Sequence, residues 1–148
     1  MKVSVAADEL TGIAQAIPEQ LRRRGHEAIL RGAYDESERA DWAWASEAAA
    51  RDVAEGRAEL AVVACWTGTG ASIAANKVAG VRAALCTDAE TAEGARRWND
   101  ANVLALSLRL TSEAQLEEIL DAWFGGHSSR ESSDVDNVAH LAKIEQGD

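Results

Sequence analysis

Leu60-Ala61-Val62-Val63-Ala64-Cys65 runs directly into Trp66-Thr67-Gly68-Thr69-Gly70-Ala71-Ser72. The first six residues are apolar throughout, which suits a strand buried on both faces of a parallel sheet. The glycines mark a tight turn, and a helix is expected from Ser72 to Val78. Strand, Gly-rich turn and helix together form the unit from which α/β folds are built.

The same alternation extends on both sides. Upstream, Lys2 to Ala7 reads as a strand, and Thr11 to Arg24 as an amphipathic helix with Ile13, Ala14, Ile17 and Leu21 on one face. Pro18 marks a start or kink within that helix, and Gly25 ends it. Glu27 to Leu30 is a weaker strand, and Asp41 to Glu55 an alanine-rich helix closed by Gly56. Downstream, Val81 to Cys86 and Asn102 to Ser107 read as strands, and Thr91 to Asn99 and Glu113 to Phe124 as helices. Five strands alternating with helices predict a doubly wound α/β fold with a parallel sheet covered on both faces. Ligands in such folds bind outside the carboxyl ends of strands near a topological switch point. That directs attention to Asp8, Cys65 to Gly70, and Asn99 to Asn102.

The expected α/β domain spans residues 1–124. Residues 125–148 differ in character, with four serines and Arg130 and Lys143 set against five carboxylates. The first part reads as a loop or flexible arm, and Val138 to Ile144 as a short terminal helix. The length of 148 residues and 47% hydrophobic composition fit a core that needs neither disulfides nor metal. No apolar run reaches about 18 residues, and the N-terminus lacks a signal-peptide pattern. Two cysteines form no disulfide framework, and no Cys/His cluster has zinc spacing. The expected compartment is therefore the cytoplasm, with reduced thiols. A net charge of −10 argues against a general nucleic-acid or anionic-membrane binder, though not against a small anion held by local arginines.

Cys65-Trp66-Thr67-Gly68-Thr69-Gly70 is the main chemical signal. A thiol at the end of a buried strand meets a turn whose backbone N–H groups can hold an anion or a developing oxyanion. Thr67 and Ser72 add hydroxyls. The turn is neither a P-loop nor a G-x-G-x-x-G fingerprint. Spacing alone leaves a second reading open, in which Cys65 is a small core residue and the glycines only turn the chain.

The strings Cys65-x-Thr67-Gly68-x-Gly70, Ser72-Ile73-Ala74-Ala75-Asn76-Lys77-Val78, Gly80-Val81-Arg82-Ala83-Ala84-Leu85-Cys86 and Asn99-Asp100-Ala101-Asn102-Val103-Leu104-Ala105-Leu106 strongly resemble the type B ribose-5-phosphate isomerase family. That family includes the galactose-6-phosphate isomerase subunits. The resemblance covers Lys2 to about Phe124 and is dense over residues 60–109. It implies a Rossmann-like three-layer α/β/α fold with a five-stranded parallel sheet. It also implies an aldose–ketose isomerase of carbohydrate metabolism, acting on a sugar or sugar phosphate without metal or organic cofactor. A homodimer is implied, in some members a tetramer, with each site completed by the partner subunit.

By the same resemblance, Cys65 is the base that moves a proton between C1 and C2 through a cis-enediolate. The other branch of the family carries a glutamate where this chain has Ala71. The turn Gly68-Thr69-Gly70, with Thr67, would stabilise the enediolate oxygens. Asp8 and Asn99 would contact sugar hydroxyls, and Arg109 and Arg130 the phosphate. A cysteine base needs a positive potential beside it, and a helix N-terminus supplies one.

Several positions depart from the family pattern. The ring-opening histidine before Asn-Asp-Ala-Asn is Trp98, which cannot exchange a proton in that way. The histidine after the first aspartate is Glu9, a carboxylate able to act as acid or base at the same mouth. Trp66 follows the cysteine where a glycine or serine is usual, and Asp41-Trp42-Ala43-Trp44-Ala45 replaces a tyrosine-bearing segment. An expected arginine is Gly126, while His127 and Arg130 remain. Trp42, Trp44, Trp66 and Trp98 suggest a more aromatic pocket, since indole faces stack on the C–H faces of sugars. His26, Cys86 and Lys77 read as structural, and His140 as a solvated helix residue. Two further readings follow from the departures: a non-catalytic sugar-binding or regulatory homologue, and an isomerase or epimerase of a non-phosphorylated sugar.

Overall fold

β3 (Leu60–Cys65) is buried at all six positions because it runs through the middle of the sheet. In this computed structural model, which describes residues 1–147, Leu60, Val62 and Ala64 face one layer of helices. Ala61, Val63 and Cys65 face the other. The apolar run is thus two alternating faces, each with its own core.

The remaining elements are β1 (Lys2–Ala7), a 3-10 turn (Gly12–Gln15), α1 (Ala16–Arg23), β2 (Glu27–Gly32), α2 (Trp42–Ala54), α3 (Thr69–Asn76), β4 (Ala83–Leu85), α4 (Ala89–Asn99), β5 (Val103–Ser107), α5 (Glu113–Gly125) and α6 (Ser132–Glu145). All strand pairs are parallel, in the order β2-β1-β3-β5-β4. Right-handed crossovers tie the direction of each step along the sheet to the face its helix covers. α1, α4 and α5 accordingly contribute Ile17, Leu21, Ala92, Leu116, Ile119 and Trp123 to one core. α2 and α3 contribute Ala45, Ala49, Ala50, Ala71 and Ala75 to the other, where small side chains let the helices sit close. The α/β reading with five parallel strands is borne out.

The differences are local. The expected helix over Thr11 to Arg24 divides into a 3-10 turn and α1, with Pro18 in the first turn of α1, where its missing N–H costs nothing. α3 starts at Thr69 rather than Ser72, because Gly68, at φ 78°, already turns the chain. The strand expected over Val81 to Cys86 shortens to β4. The terminal helix is longer than 138–144, spanning Ser132–Glu145. None of its residues is buried; it touches α4, and the Glu145 carboxylate accepts the Gly80 N–H at 3.0 Å. Among the described residues no helix is long and apolar enough to cross a membrane.

One polar cluster sits inside the layer formed by α2. Asp52 is fully buried, and its carboxylate accepts from Ser4 Oγ at 2.7 Å, Arg31 Nε at 2.8 Å and Arg57 Nε at 2.8 Å. Arg31 also holds Glu38 at 2.8 Å, and Glu38 accepts the Gly32 N–H. This chain of contacts pins the β2–α2 loop, which leads to Asp41 and Trp42. Burial alone would raise the Asp52 pKa, but the hydrogen bonds from Arg31, Arg57 and Ser4 outweigh it and hold the carboxyl below its ordinary 3.8. The stability it contributes is present above pH 3.8 and is lost as pH falls through the depressed value. Asp52→Ala removes the acceptor shared by Arg31, Arg57 and Ser4 and leaves Arg31 to Glu38 alone, and the expected cost is about 1–3 kcal/mol, read from the urea midpoint at pH 7. The difference from wild type should narrow as pH drops below about 4. An unchanged midpoint at neutral pH would contradict this role.

Candidate active site

Cys65 ends β3 on the face covered by α3, and its side chain is buried. The Ala71 N–H, in the first turn of α3, donates to Cys65 Sγ at 3.4 Å. The first N–H groups of a helix have no partner within it. Here Ala71 uses its own on sulfur, and Ser72 returns to the Gly68 carbonyl at 3.0 Å. The N–H groups of Gly68, Thr69 and Gly70 have no protein acceptor among the described residues. The Thr67 and Thr69 hydroxyls meet at 2.7 Å. A sulfur, a row of open N–H donors and a helix N-terminus therefore converge at one strand end, an arrangement suited to negative charge.

Two glycines of this turn are fixed by their surroundings. A Cβ on Gly68 would lie 2.5 Å from Leu85 Cδ1 and 2.9 Å from the Leu106 carbonyl carbon, besides the strain of its positive φ. A Cβ on Gly70 would meet the Trp42 indole at 2.9 Å. Trp42 thus forms a wall against the turn while remaining half exposed, and Trp66 stands exposed beside Cys65. The following strand closes the same edge. The N–H groups of Leu108 and Arg109 donate to the Cys65 and Trp66 carbonyls at 2.9 and 3.0 Å.

Asp8 follows β1, the neighbour of β3, so it reaches the same edge at the reversal of strand order. Its Oδ1 is buried without a partner. Burial raises its pKa first, and Glu9 and Asp41 raise it further. Glu9 is exposed. Cys86, the other thiol, has its pKa pushed up to about 12, by burial and then by Asp88, so it is protonated near neutrality.

Asn99 to Asn102 are not at this edge, contrary to the expectation. They end α4 and precede β5, and the segment before a parallel strand lies at its amino end. Asn102 N–H donates to the Arg82 carbonyl just before β4, which fixes the placement. Trp98 folds back over Gly94 of its own helix, and Asn99 lines a cavity with Asn76, Arg82 and Leu141. His127 and Arg130 lie in the loop after α5, also at the amino edge, lining a cavity of 540 Å³ with Arg97. The described chain therefore brings together Asp8, Glu9, Cys65, Trp66, Thr67, Gly68, Thr69, Gly70, Ser72 and Arg109. It holds Trp98, Asn99, His127 and Arg130 apart from them, across strands roughly 17–20 Å long.

Sequence reasoning gave no site role to Asp41 or the Ala71 N–H. Both sit at helix starts, and in a parallel sheet every crossover helix starts at the carboxyl edge. Among the described residues no group of three or more His, Cys, Asp or Glu side chains is placed to hold a metal ion.

Known proteins share this fold, and the class they define is that of intramolecular oxidoreductases interconverting aldoses and ketoses. The sequence profile of the Ribose/Galactose Isomerase family matches residues 3–144, and the chain belongs to that family. It is 40% identical over 124 residues to galactose-6-phosphate isomerase subunit LacB of Clostridium acetobutylicum, covering 83% of this chain and 71% of that one. It is 38% identical over 125 residues to ribose-5-phosphate isomerase B of Escherichia coli, covering 84% and 83%. The solved ribose-5-phosphate isomerase B of Clostridium thermocellum superposes with a TM-score of 0.91 at 32% identity, covering 99% of each chain.

Asp8 supplies a stability test. Folding raises its pKa, so its contribution is full below 3.8 and is lost as pH rises through the raised value. Asp8→Asn removes that liability. Its expected effect is a higher thermal midpoint than wild type at pH 7 and a smaller difference at pH 3. A lower midpoint at pH 7 would contradict the reading of Asp8 as a carboxylate disfavoured by its burial and its acidic neighbours.

Proposed function

We propose that the chain is a cysteine-dependent isomerase of a sugar phosphate, of the ribose 5-phosphate/ribulose 5-phosphate kind or a close relative, working in the cytoplasm. The observation that supports this most is the Ala71 N–H on Cys65 Sγ beside three unclaimed N–H groups. In the proposed step, the Cys65 thiolate takes the C2 proton of the open-chain aldose, and the electron pair moves into the C1–C2 bond as a cis-enediolate. The charge on the substrate oxygens meets the N–H groups of the turn, with the Thr67 hydroxyl adjacent. The thiol then returns its proton to C1, and a proton passes from O2 to O1, giving the ketose. Asp8 accepts from a sugar hydroxyl, and the Trp42 and Trp66 faces lie against ring C–H groups.

Trp98, Asn99, His127 and Arg130 serve this reaction in a homodimer, where a second copy carries them to the Cys65 edge. Their placement at the opposite edge of the sheet supports that arrangement. Arg109 stands on the Cys65 side, so phosphate is held from both copies. Glu9, exposed at the mouth, takes the proton exchange of ring opening that an indole at position 98 cannot perform.

The test is proton NMR in D2O with a panel of phosphorylated and free pentoses and hexoses. Solvent exchange at C2 with formation of ketose is expected, and Cys65→Ala should slow it by about 10²–10⁴-fold. Glu9→Gln should slow turnover of a cyclic substrate and spare an open-chain one. A folded protein that exchanges no sugar proton would favour the sugar-binding reading instead.

A further inference from the structure

We propose that Arg97, on the last turn of α4, works with Arg130 to grip the tetrahedral oxyanion end of the substrate, a phosphate ester or a sulfonate. This rests on the isomerase with a shared site proposed above. Most arginines of the chain are held by carboxylates. Arg97 and Arg130 make no ion pair among the described residues, yet both line the same 540 Å³ cavity with His127 and Ser128.

Consecutive helix positions point about 100° apart, and Arg96 and Arg97 divide accordingly. Arg96 turns inward, with its guanidinium over the Trp123 ring and Nη1 donating to the Ala101 carbonyl. Arg97 is left on the surface, facing the cavity. Its carbonyl accepts the Ser129 N–H at 2.7 Å, which ties the loop bearing His127 and Arg130 to α4. Position 126 has no room for a guanidinium of its own, because a Cβ there would lie 2.9 Å from Arg96 Cβ. Arg97 also borders the adjoining 280 Å³ cavity beside Trp98, so it stands between an aromatic wall and the loop.

Glu93 and Glu131 share the wall of the larger cavity. They oppose an anion, so a single guanidinium is insufficient and both arginines must converge on the ligand. Guanidinium forks match the paired oxygens of phosphate and sulfonate, and the Ser128 hydroxyl adds a donor.

The experiment measures binding of inorganic phosphate and of methanesulfonate to the full chain by calorimetry, alongside steady-state kinetics. Arg97→Gln is expected to weaken anion binding at least about tenfold and to raise KM more than it lowers kcat. Arg97→Lys should recover part of the loss, and Arg130→Gln should match Arg97→Gln. The tighter of the two anions names the substrate's end group. Unchanged anion affinity in Arg97→Gln, with the fold intact by circular dichroism, would overturn the assignment even if the enzyme isomerises sugars. Arginine-dependent anion binding by a protein that isomerises nothing would keep the anion site and reject the isomerase reading.

Discussion

A parallel sheet admits its strands at one edge and releases them at the other, and this constraint organises the whole molecule. Every segment that follows a strand collects at the carboxyl edge, and every segment that precedes one collects at the amino edge. Cys65 ends β3, and Asp8 and Arg109 follow β1 and β5, so all three lie at the carboxyl edge. Trp98 and Asn99 precede β5, while His127 and Arg130 follow an α5 that has run back to the amino edge. No side-chain movement bridges the length of a strand. A reaction that uses both groups of residues therefore needs two copies of the chain, which is why the proposed function and the proposed dimer stand together.

Electrostatics operate locally within a chain of net charge −10. Most arginines are committed to carboxylates, and the fully buried Asp52 draws Arg31, Arg57 and Ser4 into one cluster that steadies the approach to Asp41 and Trp42. The arginines left uncommitted include Arg97, Arg109 and Arg130, the positions proposed to face the substrate's anion. On the Cys65 edge, Asp8 carries a carboxyl oxygen buried without a partner. A group held at such a cost fits a site that a hydroxyl-bearing ligand completes.

The fold was legible because its signals are local. The apolar run of β3, the glycines after it and the periodic helices each specify their own element, and parallel strands follow from their alternation. The Cys65 turn was legible for the same reason, since residues 65 to 72 are contiguous. Asn99 to Asn102 fall outside the carboxyl edge to which the switch-point rule directs attention because they end α4 and precede β5, and chain order relative to β5 sets the edge. The full length of α6 was missed because Ser132, Ser133 and Asp134 read as loop; they are good residues for a helix start, and the helix extends from them. Arg97 was invisible because its significance lies in having no carboxylate partner, a property of three-dimensional neighbours.

The sharing of one site by two copies is tested most directly by mixing two inactive variants. Cys65→Ala disables one half of the site and Asn99→Ala the other. Unfolding and refolding them together in equal amounts forms mixed dimers in which one of the two sites carries both wild-type halves. Recovery of about a quarter of wild-type activity is the expected result for random pairing in a twofold dimer. A mixture as inactive as its components, with mixed dimers demonstrated by mass, would contradict the shared site.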